Sequence, residues 1–478
     1  MIARQLSTKI QAMRGKSPVI TITGPRQSGK TTLIKSLFPD IPYFSMETPD
    51  IREQVLNNPR ELFARFGHSL ILDEVQRTPE ILSYIQTIVD EDPDAFFVLS
   101  GSHNLLMLEK VSQSLAGRTV IFYLLPLSLA ELEKAGISKQ KYEEWIFQGF
   151  YPRLYDRNLP PAEFFPSYLE TYVQRDVRQI RNIGNLSLFS RFLSICAGHI
   201  GQTLNYSKLA NDAGISLSTV QNWLSILETS FIVYQLNPYF RNFNKRITKA
   251  SKLYFYDTGL ACSLLRINNL EALENYYQKG GLFENFIINE ICKGYFNRGE
   301  RPPVYYLNDS KGHEIDLILD LGGHILPVEI KSGRTFSPDS FKNMDWWRKD
   351  IDMPLADSLV ELAAGNGTGV TINVFPGLCR PGKTPKPSPH RRPLFRIRAA
   401  PNQQPKSFAQ VYPGEFQVAE LAEPAGRVID LQVLKESDLP FFVQPVEQVA
   451  VFPGHNRFIV PADPLKYCAP HDLAFPFG

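Results

Sequence analysis

Thr21 to Leu33 reads TITGPRQSGKTTL, and this stretch decides the fold of the first part of the chain. The β-branched run Val19-Ile20-Thr21-Ile22-Thr23 predicts a buried strand that stops at Gly24. From there Gly24, Pro25, Arg26, Gln27, Ser28, Gly29, Lys30 and Thr31 match the pattern G-x-x-x-x-G-K-[ST] at every fixed position. A helical stretch from Thr31 through Thr32 to Phe38 follows. The two glycines let the backbone curl, so that successive N–H groups point into one anion-sized cup. The positive end of the helix faces the same cup. Lys30 would reach the β- and γ-phosphates, and the Thr31 hydroxyl would ligand Mg²⁺. A glycine turn matching by chance would have to coincide with both flanking elements. The stretch therefore predicts nucleoside triphosphate binding by residues 24–32.

A chain of 478 residues exceeds one hydrophobic core, so two to four domains are expected. Its 43% hydrophobic and 21% charged content is that of a soluble globular protein. The net charge of +2 does not indicate nucleic acid, so any basic surface must be local. Five scattered cysteines, never at metal-ligand spacing, argue for a reducing compartment and against a disulfide framework or a zinc site. The N-terminus lacks an apolar secretory core; Ile2, Leu6 and Ile10 instead have helical spacing. No apolar run is long enough to span a bilayer, so the expected location is the cytoplasm, with no membrane partner.

The first domain is expected over residues 1–160. Tyr43 to Glu47 suits a second strand, and Leu56 to Phe66 has helical periodicity. Then comes SLILDEVQR, Ser69 to Arg77, an apolar strand ending in two acids. Asp73 would hold Mg²⁺ and Glu74 would orient and deprotonate the attacking water. Two acids opening a helix are the bland alternative, weakened here by the matching loop upstream. A third strand, Ala95 to Leu99, runs into SGSHNLL. Ser102 is the expected γ-phosphate sensor, with Ser100 and Asn104 as competitors and a plain strand-ending turn as the alternative. Arg118 is a candidate for contacting the γ-phosphate, in cis or across a subunit boundary of a homo-oligomer.

The strings TGPRQSGKTTL, LILDEVQRTPEIL, VLSGSHNLL, SLAGR and LLPLSLAEL, in this order, resemble a family of prokaryotic AAA-type P-loop ATPases. That family carries a C-terminal region of uncharacterised function, with a winged helix and a PD-(D/E)xK nuclease-like fold. The resemblance continues through GFYPRLY, YLETYVQRDVRQI and GGLFENFIINEI. It implies ATP binding and hydrolysis and leaves the biological role open.

Residues 161–270 are expected to form a helical and winged helix-turn-helix domain. Arg175, Asp176 and Arg178 lie close together on a helical stretch; the plain reading is a solvated charged face, and the other is an arginine reaching a neighbouring subunit's nucleotide. YSKLANDAGISLSTVQNWLSILE, Tyr206 to Glu228, has the helix-turn-helix pattern. Leu209, Ala210 and Ala213 face inward, Gly214 makes the turn, and Ser216 or Ser218 caps the second helix. Val220, Trp223, Leu224 and Leu227 then leave Ser218, Thr219, Gln221 and Asn222 outward for phosphate or base-edge contacts. Phe231 to Leu236 and Lys252 to Tyr256 suit wing strands. Arg241, Lys245, Arg246, Lys249 and Lys252 on or near the wing point to DNA; docking of a protein is the alternative.

Residues 271–373 are expected to form a small α/β domain. Gly281 to Phe296 reads as an amphipathic helix bearing Glu284 and Glu290. GHEIDLILDLGGHILPVEIKSG then gives two strands around Gly322-Gly323. Asp316 on one strand, with Glu329 and Lys331 two apart on the next, can share one side of the sheet. This resembles a PD-(D/E)xK nuclease core. Asp316, Glu329 and Glu284 would ligand Mg²⁺, and Lys331 would orient water or stabilise charge. Inert binding modules share such folds. Residues 374–478 are rich in proline, opening with VFPGLCRPGKTPKPSPHRRP. They predict an extended linker with a small β-unit, or an aberrant sequence from a fusion or shifted frame.

The whole is an α/β multidomain chain. The expectation is a Mg²⁺-dependent ATPase acting on or docking to DNA, with a nuclease-like domain. The alternative is a nucleotide-gated switch whose winged helix and inert third domain bind a protein.

Overall fold

In the computed structural model, the described residues are 2–102, 111, 113–172, 185–239, 250–308, 313–322 and 325–332, together with four strands beyond residue 357. They fall into two compact units, Met1–Ile137 with Glu143–Val304, and Ser138–Tyr142 with Tyr305–Gly478.

Continuous runs of buried residues build the first sheet. Its strands are β1 Val19–Thr23, β2 Tyr43–Ser45, β3 Ser69–Asp73, β4 Phe96–Gly101 and β5 Thr119–Tyr123. They pair in the order β2-β3-β4-β1-β5, all parallel. One face carries Val19, Leu70, Leu72, Phe97 and Leu99; the other carries Ile20, Ile22, Ile71, Phe96 and Val98. The helix Lys30–Leu37 covers the second face with Leu33 and Ile34, while Leu62, Phe63, Ile81, Leu82 and Ile85 of two other helices cover the first. A sheet buried on both faces needs continuous apolar strands, which is why these read as runs rather than as alternation.

The order has a consequence for function. β4 lies between β1 and β3, so the C-terminal ends of all three strands meet at one edge. Such an edge is where open α/β sheets place their ligands.

The expected helix Leu56 to Phe66 is two helices, Pro49–Asn57 and Pro59–Phe66, each with proline in its first turn. Proline cannot donate inside a helix but suits its start, so Pro59 divides the segment. Further on, the helices Tyr206–Ala213 and Leu217–Thr229 flank Gly214, whose φ of 69° is the left-handed turn conformation. Ser216, rather than Ser218, caps the second helix by accepting from the Thr219 N–H at 3.1 Å. An antiparallel hairpin follows, β6 Val233–Leu236 with β7 Lys252–Phe255.

The helix Lys279–Phe296 departs from expectation. It is buried on nearly every side rather than amphipathic, and it belongs to the first unit. Its Asn285 both accepts from the Phe255 N–H (2.9 Å) and donates to the Phe255 carbonyl (2.8 Å), completing the backbone bonding of β7. The compact division of the chain falls after Val304.

The second sheet runs β12-β11-β10-β9-β8, from β8 Val304–Asn308, β9 Glu314–Asp320, β10 Ile325–Lys331, β11 Ser358–Ala364 and β12 Val370–Pro376. β9 and β10 are antiparallel, β10 and β11 parallel. In the tail, Val446–Ala450 and Phe458–Pro461 form an antiparallel pair.

Candidate active site at the end of the first sheet

The loop after β1 carries two left-handed residues two apart, Gln27 at φ 59° and Gly29 at φ 93°. Alternation of this kind turns successive N–H groups the same way and makes an anion-binding nest. Gly24 is required sterically, because a Cβ there would run into the Leu124 carbonyl. Lys30 is buried and donates to the carbonyls of Gly24 (2.9 Å) and Pro25 (2.8 Å), which holds its ammonium over the loop. The hydroxyls of Thr23 and Ser28 are buried at the loop without a hydrogen-bond partner. A ligand rich in acceptor oxygens suits them.

Asp73 ends β3 and is buried. Its Oδ2 accepts from the Thr31 hydroxyl (2.7 Å) and from the Tyr43 hydroxyl (2.6 Å). Its Oδ1 accepts from the Ser100 hydroxyl and from the Glu74 N–H (3.1 Å). Burial, and then the bond to Asp73, holds the Tyr43 phenol well above its ordinary range, so it stays a donor. The Thr31 and Asp73 oxygens are hard donors from two elements, and this set fits Mg²⁺.

Glu74 is one of five described non-glycine residues with positive φ, at 56°. That conformation costs about 1–3 kcal/mol and clusters at functional positions. The residue turns out of β3, and its Oε2 accepts from Ser102 Oγ at 3.1 Å and from Gln76 Nε2 at 2.5 Å. Ser100 therefore serves Asp73 and Ser102 serves Glu74, a division of labour between the two competing serines. Asn104 lies outside the described residues.

Arg118 is elsewhere. It precedes Thr119, which pairs with Val19 at the sheet's opposite end, about 13 Å from the loop by strand rise. There it makes an exposed two-bond pair with Asp90, at 2.6 and 2.8 Å. This geometry removes the in-cis expectation for Arg118. Arg175, Asp176 and Arg178 lie outside the described residues.

Tyr43, Gln76 and Arg4 were not expected here. Tyr43 shows no motif of its own; only the β2–β3 pairing brings it to Asp73. Arg4 is buried and donates to the Ser28 carbonyl of the loop at 2.7 Å.

The second acidic group is wired differently. Lys331 donates to Asp316 Oδ2 (3.1 Å) and Glu329 Oε1 (2.5 Å), and the Ile330 N–H also donates to Asp316 Oδ2 (2.9 Å). All three side chains thus share one side of the β9–β10 hairpin. Burial lowers the Lys331 pKa, but the two carboxylates outweigh it and raise it above the usual range. Glu284 lies in the first unit, bound by Lys252 (3.2 Å) and Tyr254, and among the described residues no three His, Cys, Asp or Glu side chains form a metal-holding cluster.

On the helix-turn-helix, Ser218, Gln221 and Asn222 are exposed and Thr219 is half-buried. Lys252 corrects the expected basic wing: at 2% exposure and paired with Glu284, it is a core residue. Arg241, Lys245, Arg246 and Lys249 lie outside the described residues. No described helix is long and apolar enough to cross a membrane.

Comparison with known proteins bears on the domain that holds the first site. Residues 16–133 match the family model of an AAA domain. Residues 139–271 and 279–369 match two domains of unknown function, DUF8612 and DUF4143. The uncharacterized protein Rv2008c of Mycobacterium tuberculosis is 27% identical over 378 residues, covering 76% of this chain and 83% of its own. The uncharacterized protein MJ1637 of Methanocaldococcus jannaschii is 24% identical, covering 72% and 82%. Among solved structures, the Walker-type ATPase PABY2304 of Pyrococcus abyssi is similar at 16% identity and a TM-score of 0.37, covering 56% of this chain and 96% of its own. The AAA-domain match and the parallel sheet with its loop support a P-loop ATPase domain at the start of this chain.

Proposed function

We propose that this protein is a cytoplasmic, Mg²⁺-dependent ATPase whose helix-turn-helix and hairpin form a winged helix that docks on DNA. The observation that carries the reading is the 2.7 Å bond between Thr31 and Asp73, side chains 42 residues apart. It joins the phosphate loop to the acidic strand at one point. The loop N–H groups and Lys30 bind the triphosphate and offset its charge. Thr31 and Asp73 would hold Mg²⁺, which would supply charge neutralisation for the triphosphate. Glu74 takes the proton of the attacking water on the carboxylate that Ser102 and Gln76 orient. Arg118 is kept for a role across a subunit boundary in a homo-oligomer.

The exposed Ser218, Gln221 and Asn222 support the DNA reading, being short polar side chains on the second helix of a helix-turn-helix. Asp316, Glu329 and Lys331 support a nuclease-like third domain by residue type and hairpin register. The second reading is a nucleotide-gated switch with a protein partner. It is favoured by Lys331, whose charge already serves both carboxylates.

Steady-state ATP hydrolysis with and without duplex and single-stranded DNA separates the two. Stimulation by DNA is expected of the first reading, together with metal-dependent cutting that Lys331→Ala abolishes. A low rate indifferent to DNA, with no cutting, contradicts it and favours the switch.

A further inference from the structure

Outside the phosphate loop and the acidic strand, the first unit holds a buried ion pair aimed at the loop from behind. Arg4 is 9% exposed and Glu131 is 1% exposed. The Arg4 guanidinium makes three bonds in three directions: Nε to Glu131 Oε1 (3.0 Å), one terminal nitrogen to the Ser28 carbonyl (2.7 Å), the other to the Leu125 carbonyl (2.6 Å). Glu131 is itself fixed. Its Oε1 also accepts from the Gln5 N–H (2.8 Å) and its Oε2 from the Ser128 N–H (2.9 Å), closing a capping box on the helix Leu129–Lys134.

The Ser28 bond bears on nucleotide binding through peptide geometry. In a planar trans peptide the C=O and the next residue's N–H point in opposite directions. Gripping the Ser28 carbonyl therefore fixes the Gly29 N–H on the other side, toward the cup. Gly29 sits at φ 93°, and glycine alone has the backbone freedom to turn this peptide over without a side-chain penalty. An unheld Ser28–Gly29 peptide would spend part of its time with a carbonyl oxygen facing an anion. That population directly lowers affinity for a polyphosphate.

We infer that Arg4 is a positioning residue for the nucleotide site: oriented by Glu131, it holds the Ser28–Gly29 peptide so that its N–H faces the phosphates. The inference rests on the ATP-binding reading and adds to it a residue outside the motif. The fork geometry is essential. A lysine keeps the charge opposite Glu131 but is a single point donor and cannot hold three acceptors in fixed directions.

Arg4→Lys is the informative variant, because it leaves no unpaired carboxylate behind. Melting temperature without nucleotide, its rise on adding MgATP, and the kcat and KM for ATP are measured for the full chain. The expected result is a melting temperature lowered less than in Arg4→Ala, a smaller MgATP shift, and a KM raised roughly tenfold with a smaller change in kcat. Arg4→Ala is expected to show the same loss plus a lower melting temperature, from the buried charge left on Glu131. A wild-type-sized MgATP shift and KM in Arg4→Lys overturn the inference. So does a lowered melting temperature with an unaltered nucleotide shift, which marks a structural role only. Wild-type protein that shows no MgATP shift overturns the ATP-binding reading and this inference with it.

Discussion

Two constellations of two acids and a lysine occupy this chain, and they are wired in opposite ways. At the end of the first sheet, Lys30 lies over neutral carbonyls while Asp73 is served by hydroxyls and an N–H. On the β9–β10 hairpin, a single lysine bridges both acids. In the first arrangement the ammonium donates to two carbonyls of the proposed phosphate loop. In the second it is committed to its own carboxylates, so an incoming divalent ion must compete with it. The same three residue types, with the same formal charge of −1, are thus bonded differently at the two places.

The largest expected effect lies in the first site. Glu74→Gln removes the proposed base but keeps an acceptor for Ser102, so turnover should fall by about 10²–10⁴ while MgATP still binds. A single-turnover assay beside equilibrium dialysis checks this; wild-type turnover in the variant would erase the functional difference between the two groups. The next bears on the second site. Lys331→Ala frees Asp316 and Glu329 from their cation, and Mg²⁺ should bind there more tightly, by about tenfold or more. Titration calorimetry in an Asp73→Asn background, which silences the first site, reads it; an unchanged affinity would mean that the ion pair does not govern metal access.

A smaller effect concerns pH. Burial raises the Asp257 carboxyl to about 6 from an ordinary 3.8, against Lys293 and three backbone N–H groups that lower it. The folded state then binds a proton that the unfolded state has released, so stability falls as pH rises from about 4 to 6 and is level above. The difference in urea midpoint between wild type and Asp257→Asn should fall across that window. Parallel curves would show that Asp257 does not titrate there. Smallest is Arg118→Ala. The residue stands in an exposed pair at the far end of the sheet, so hydrolysis by dilute monomer should be unchanged. A loss of turnover that appears only at concentrations where the protein self-associates would place Arg118 in a neighbour's site.

Much of the first site was legible because its parts are local. The β-branched run of β1, the loop pattern and the acids after Leu72 each sit within a dozen residues. What joins them is not local. Ser100 reaches Asp73 because β4 lies between β1 and β3, and Tyr43 because β2 pairs with β3. Arg4 is tied to Leu125 and Glu131 at separations of 121 and 127 residues, which no periodicity signals. Lys252 shows the converse failure. A lysine among basic neighbours reads as surface, and only its pairing with Glu284 from a later helix makes its burial possible. The partners of Glu284 were equally hidden, since Lys252 and Tyr254 lie 32 and 30 residues away from it.

The most direct test of the central claim is equilibrium binding and hydrolysis of MgATP by wild type beside Lys30→Ala. A P-loop ATPase predicts that wild type binds and turns over the nucleotide and that the variant loses both. Binding and turnover that survive in Lys30→Ala, or a wild-type chain that takes up no nucleotide, would contradict the account.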